Sequence, residues 1–224
     1  MSERIYGNTP CFLGSQNLSK SKDYSTDVLV YGVPFEGPCT WGDYTGCELG
    51  PKQIRLSSAR YSGYLPELDH IDVHEHLTIG DVGDVSTVPH DVDETVQNIE
   101  KFAENLWRSE KFLVGLGGDH GITYPILKAL TNTGKRVGII HLDAHYDNMP
   151  NYENEQFARN TPFMRLYETE GIRNESLIHT GIHGPRNQPE TGKFAKENGA
   201  VTITINDIRE TDDLRKFAKD IYLQ

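Results

Sequence analysis

Apolar and polar positions along this chain alternate between two periods, and the switches mark its elements. Residues 28–33 form a short unbroken apolar run, as expected of a strand buried on both faces. Comparable runs at 112–116, 137–141, 177–181 and 201–205 predict four more strands. Between them the spacing becomes helical. Val92, Val96, Ile99, Phe102, Ala103 and Leu106 recur on one face behind Asp91, which predicts a helix opened by that aspartate and running to Arg108. Helices are also predicted over 51–61, where Pro51 sits early enough that its missing N–H costs nothing, and over 123–130, 161–171 and 208–219. A further helix over 193–198 has Gly199 as its stop. Residues 70–79 read as one or two strands, residues 1–26 as a polar extended arm, and 35–49 as a long Gly-, Pro- and Thr-containing loop of the kind that often carries function. Strands alternating with helices predict an α/β fold of three layers, a mostly parallel sheet covered on both faces. No repeat or low-complexity tract interrupts it, so 27–224 reads as one domain behind the arm.

Composition narrows the function classes. There are 22 basic and 33 acidic residues, a net charge of −11, which argues against nucleic acid or an anionic membrane surface as the main partner. An acidic field mildly suits a cationic substrate, but more often it only reflects a solvated surface. No apolar run approaches a membrane span, and the N-terminus lacks the apolar core of a signal peptide. Cys11, Cys39 and Cys47 are an odd set without CxxC spacing and read as reduced thiols of a cytoplasmic protein.

Candidate chemistry gathers at two strand ends. The strand at 137–141 runs into Asp143, His145 and Asp147, which alternate and so, in an extended segment, point to one side. The strand at 112–116 runs into Gly117-Gly118-Asp119-His120. Open parallel sheets place their sites at the C-terminal ends of strands. Oxygen ligands mixed with imidazole suit Mn²⁺ or another first-row divalent ion, and the lack of cysteine ligands argues against structural zinc. The expected metal set is His120, Asp143, His145 and Asp147. Asp119 is expected to act behind the ligands. Alternation sets His141 one step off and gives it a buttressing role. Either cluster alone would more often be a solvated turn or a cap.

Gly117-Gly-Asp-His120 and His141-Leu-Asp-Ala-His-Tyr-Asp147 resemble the first two signature motifs of the ureohydrolase family, which includes arginase and agmatinase. The stretch 27–35, the run Gly46-Cys-Glu-Leu-Gly-Pro-Lys-Gln-Ile-Arg55, Gly80-Asp-Val-Gly-Asp84 and Thr180-Gly-Ile-His-Gly184 are similar to further pieces of its agmatinase branch, in the expected order. The resemblance implies an arginase-like fold and a pair of Mn²⁺ ions that activate a bridging water against a guanidinium carbon. His120 and Asp147 would serve one ion, His145 the other, and Asp143 would bridge, with Asp147 and His145 also placed at the catalytic step. It also implies a homo-oligomer, trimer or hexamer.

Three departures qualify this. The family's third motif, which supplies two more carboxylates, is not found before Gln224. The expectation is therefore a shortened chain with four of six ligands, weakly held metals and an unpaired sheet edge. The family's His-Gly-Thr is matched by Ala158-Arg159-Asn160-Thr161, which puts Arg159 in place of a proton-transferring histidine. Arginine does not shuttle protons at neutral pH but can grip a carboxylate in two hydrogen bonds, so Arg159 and Asn160 are expected to bind substrate. Gly121 stands where the family usually has Ser, and His183 where it often has Arg. His74 and His76 read as surface residues. The loops 35–49, with Trp41, Asp43 and Tyr44, and 148–162 are expected to wall the pocket. The leading expectation is a binuclear-metal hydrolase of a small linear guanidino or formimino compound, agmatine or a guanidino acid. The alternative is a catalytically silent paralogue with an incomplete metal site.

Overall fold

The computed structural model describes residues 9–21, 24–38 and 45–222. The polar arm makes a 3₁₀ turn at Phe12–Gly14 and a short strand β1 (Gln16–Asn17), so it is less extended than expected. Strand β2 (Val28–Val33) is buried at every position. A 3₁₀ turn at Cys47–Leu49 leads into α1 (Gly50–Ser58), with Pro51 in its first turn. Strands β3 (Tyr64–Leu65) and β4 (Ile71–Asp72) form a small antiparallel pair. They are followed by a one-turn helix α2 (Val73–His76) and by β5 (Ile79–Asp84).

The expected strand over 70–79 is thus largely replaced by α2. Asp72 accepts the His74 N–H and caps that helix, and His74 and His76 sit exposed on it. The long strand here is β5. Two aspartates and two glycines hid it from an apolar-run search, although it is buried through most of its length.

Helix α3 (Val92–Trp107) has the expected start, with Asp91 accepting the Glu94 N–H. Strand β6 (Phe112–Gly117), a 3₁₀ turn at His120–Ile122, α4 (Thr123–Thr131) and β7 (Val137–Leu142) follow. Helix α5 (Pro162–Tyr167) is shorter than expected, and β8 (Ile172–Ile182) longer. Helix α6 (Pro189–Glu197) and β9 (Val201–Thr204) come next. The last predicted helix is two, α7 (Ile205–Arg209), started by a capping box from Thr204 and Asp207, and α8 (Leu214–Tyr222).

Every ladder in the two larger sheets is parallel. The first runs β1-β5-β2-β6 and the second β7-β8-β9, and no ladder joins β6 to β7 among the described residues. Alternate residues of β2 feed two cores. Leu29, Tyr31 and Val33 pack with Ile99, Phe102 and Leu106 of α3 and Ile126 of α4, while Val28 and Val30 pack with Leu116 and Phe12 on the other face. Helix α4 also reaches the second sheet, where Tyr124, Leu127 and Leu130 join Ile139, Leu177 and α5. On the opposite face Ile178 and Ile203 are covered by Ile208, Phe217 and Ile221 of α7 and α8. Helices therefore lie on both sides of parallel strands, giving a mixed α/β architecture.

Two of the quoted motifs meet here rather than at the site. The Arg55 guanidinium spans Asp81 (2.7 Å and 2.9 Å) and Asp84 (2.5 Å). A Cβ on Gly32 would meet Asp84 Oδ1 at 2.1 Å, so the strand must be bare where this ion pair crosses it.

Candidate metal centre

The turn after β6 is built by its glycines. A Cβ on Gly118 would lie 2.2 Å from the Phe35 carbonyl and 2.7 Å from that of Val33, and one on Gly50 would lie 2.4 Å from Gly117 O. Only bare backbone lets this turn lie against the end of β2 and the start of α1. Asp119 is buried and accepts from Gly37 N at 2.7 Å and Gly121 N at 2.8 Å. Burial pushes its carboxyl up, against the pull of those two N–H groups. With these two contacts it ties the turn together next to His120. A Cβ at Gly121 would press on Phe157 O at 3.1 Å, so the glycine there fits a tight position.

The second cluster converges for a different reason than alternation. Strand β7 stops at Leu142. Asp143 then accepts the His145 N–H at 2.9 Å in a side-chain turn, and Asp147 takes a left-handed backbone with φ 46°. These two devices fold the segment so that its side chains gather. His120 Nδ1 lies 2.6 Å from Asp147 Oδ2 and 3.9 Å from Asp143 Oδ2, and His145 Nδ1 lies 3.5 Å from Asp143 Oδ1. All four expected ligands are therefore brought together across the two sheets. Burial pushes the Asp143 carboxyl up, but the His145 N–H and the nearby imidazoles outweigh it, so the group stays below the usual carboxylate range.

His141 does not point away. It shares the parity of Asp143, so alternation turns it toward the same side and not one step off. Its Nε2 lies 3.6 Å from Asp143 Oδ2, is buried and has no hydrogen-bond partner. His120, His141 and Asp143 each offer an atom within 4.8 Å of the others. Behind His141 stands His179, a buried residue that pattern reading passed over as part of a strand. The two Nδ1 atoms are 2.9 Å apart, and Tyr167 Oη is 3.2 Å from His179 Nε2. Phe163 packs on both rings, with centroids 4.1 Å from His141 and 5.0 Å from His179. Burial pushes His141 down to about 3 and His179 down to about 4, so both are neutral at pH 7. Two carboxylates, Asp143 and Asp147, and two imidazoles, His120 and His145, gather at one cavity, and this nitrogen and oxygen donor set fits Mn²⁺.

His120, Asp143, His145 and Asp147 line a cavity of about 590 Å³ whose outer wall includes Asn151, Tyr152, Arg159, Asn160 and Arg186. The loop 148–162 thus walls it as expected, and Asn160 Oδ1 is buried there without a partner. Arg159 also lies in the wall, but its Nη2 is 3.3 Å from Glu36 Oε1, a carboxylate whose side chain is 1 % exposed. Burial would raise Glu36, yet hydrogen bonds from Thr45 and the Cys47 N–H leave it down at about 2. The charge of Arg159 is therefore already met by an anion, a pairing of residues far apart in sequence that reading along the chain did not find. His183 is exposed and its ring contacts Gly181 O at 2.7 Å. Cys39, Trp41, Asp43 and Tyr44 lie outside the described residues. Cys11 and Cys47 are free thiols. No helix among the described residues is long and apolar enough to cross a membrane.

Comparison with known proteins fits this geometry. Proclavaminate amidinohydrolase of Streptomyces clavuligerus is 24 % identical over 92 % of this chain and 64 % of its own length. Agmatinase of Bacillus subtilis is 31 % identical over 77 % of this chain and 57 % of its own. The chain thus spans about three fifths of the length of these relatives. Formimidoylglutamase of Bacillus subtilis superposes with a TM-score of 0.83 at 24 % identity, covering 99 % of this chain and 69 % of that one. A Trypanosoma cruzi formiminoglutamase solved with Mn²⁺ gives 0.81 at 20 %, covering 96 % and 71 %. The model of the arginase family matches residues 26–222, and the chain belongs to that family.

Proposed function

We propose that this chain carries part or all of a metal-dependent amidinohydrolase site acting on a small guanidino or formimino compound. The observation that carries the reading is the meeting of His120, from the end of β6, with Asp143, His145 and Asp147, from the end of β7, in one cavity. The names of the relatives support the reaction class. Bound at these donors, divalent ions, Mn²⁺ by the donor chemistry, would lower the pKa of a coordinated water and supply the nucleophile at neutral pH.

The chain's own residues then do the rest. Asp143 is held ionised and so is ready to ligate. His120 and Asp147, paired with each other at 2.6 Å, would exchange that contact for the cation. His145 is the most exposed of the set at 38 %, and with Asp147 it is assigned to hold and move the proton of the attacking water. Arg159 and Asn160 are assigned to the substrate's far end. Because Glu36 already balances Arg159, its preference for a carboxylate over a cation is smaller than a bare guanidinium would give.

The test is Mn²⁺ reconstitution followed by a screen of agmatine, guanidino acids and formimidoylglutamate for urea or formamide release. Turnover of at least one compound, lost in Asp143→Asn together with Mn²⁺ binding, is expected. Tight Mn²⁺ binding with no hydrolysis of any of them would overturn the enzyme reading in favour of a silent paralogue.

A further inference from the structure

We propose that Tyr167 and His179 form a one-way hydrogen-bond relay that makes His141 a donor to Asp143, and so a positioning residue rather than a metal ligand. Three contacts in line carry this. Tyr167 Oη lies 3.2 Å from His179 Nε2, His179 Nδ1 lies 2.9 Å from His141 Nδ1, and His141 Nε2 lies 3.6 Å from Asp143 Oδ2. Two facing Nδ1 atoms share one proton, so one ring must donate and the other accept.

Only two polarities of the neutral chain exist. In the first, the Tyr167 hydroxyl donates to His179 Nε2, His179 Nδ1–H donates to His141, and His141 Nε2–H faces the carboxylate. In the second, every donor is reversed, and the lone pair of a buried His141 Nε2 faces an anionic oxygen of half-buried Asp143 at 3.6 Å. A lone pair facing an anion at that separation is repelled, partly screened though Asp143 is, whereas an N–H there is attracted. The first polarity wins, and the packing of Phe163 and Tyr146 against the rings leaves them little room to turn.

The chemical consequence concerns which imidazoles have a lone pair for a cation. His141 sits close enough to His120 and Asp143 to compete as a ligand. With the relay pointing inward its Nε2 carries hydrogen and cannot ligate, while the N–H dipole draws one Asp143 oxygen toward it across 3.6 Å. His179 and Tyr167 act only through His141. The consequence for metal binding rests on the proposed function; the tautomers themselves do not.

The experiment is long-range proton–nitrogen NMR on the metal-free protein with ¹⁵N-labelled histidine, paired with Mn²⁺ affinity from the EPR signal of the free ion. Hydrogen on Nε2 of His141 and on Nδ1 of His179 is expected, and the reverse pattern overturns the proposal. His179→Gln keeps the polarity, since its amide NH₂ can donate to His141 while its carbonyl accepts from Tyr167. It should keep Mn²⁺ affinity within about twofold, whereas Tyr167→Phe and His179→Phe should weaken it roughly tenfold, the low end for residues behind a ligand. A role in packing alone would spare Tyr167→Phe, which keeps the ring, so an unchanged tautomer pattern and affinity there also overturns it. If the wild-type chain binds no Mn²⁺, the function reading fails and the NMR pattern alone decides the relay.

Discussion

Replacing Arg55 by Met should destabilise the fold by about 4 kcal/mol, within the roughly 3–5 kcal/mol seen when one partner of a buried ion pair is removed. The side chains of Arg55 and Asp81 are each 3 % exposed, so water does not screen the loss. The guanidinium donates twice to Asp81, once to Asp84 and once to Gly83 O at 3.3 Å. Met fills similar volume, so the effect isolates charge. It takes the guanidinium away from two carboxylates on one strand, while Asp81 keeps the N–H groups of Phe12 and Gly83, each 2.9 Å away. With an m value of about 2 kcal/mol/M, a usual size for urea, the midpoint should fall by about 2 M. The triple variant Arg55→Met, Asp81→Asn, Asp84→Asn should recover a good part of this, because the cost lies in the stranded charges. A loss below about 1 kcal/mol in Arg55→Met, or no recovery in the triple variant, would refute the reasoning.

Acid should destabilise the metal-free protein before its carboxylates titrate. His179 and His141 are depressed to about 4 and about 3, below an unfolded value near 6.5, so the unfolded chain binds more protons and stability falls as pH drops from about 6.5 toward those values. At pH 5 each contributes a loss of roughly 2 kcal/mol relative to pH 7, and His179→Gln should flatten the urea-midpoint profile over this window. Gly118→Ala should cost about 3 kcal/mol, because its Cβ would strike two backbone carbonyls; an unchanged thermal midpoint would show that the turn can move aside. Arg159→Ala should lower the ratio of acid to agmatine turnover by about threefold, a modest effect since Glu36 shares its charge; an unchanged ratio makes the residue a wall and nothing more.

The elements that sequence pattern reveals well are those with one kind of environment. Strand β2 is apolar throughout, and α3 shows a clean stripe behind its Asp91 cap. Strand β5 escaped because its aspartates are buried by a partner, Arg55, that lies far away in the chain. The four metal-ligand candidates were legible as residue types at strand ends, but the reason for their convergence was not. It depends on an aspartate turn and one left-handed residue, neither of which a period can report. His179 was invisible because a single histidine on an apolar strand looks like core until its neighbours are known. The Glu36–Arg159 contact is likewise a product of folding alone.

The seam between β6 and β7 gives the site a mechanical meaning. His120 belongs to the turn beyond the first sheet, and Asp143, His145 and Asp147 to the turn beyond the second, with no strand ladder between them among the described residues. The two sheets share α4 and side-chain contacts rather than a ladder, and such a link can open locally, at a free energy below that of global unfolding. Anything gripped from both sides closes that opening. A cation at about 100 times its dissociation constant would add roughly 2.7 kcal/mol to every state in which the seam is shut, and nothing to those in which it gapes. Amide hydrogen exchange should then slow first at the turns around residues 118–122 and 143–148, while the outer strands, β1 and β9, exchange as before.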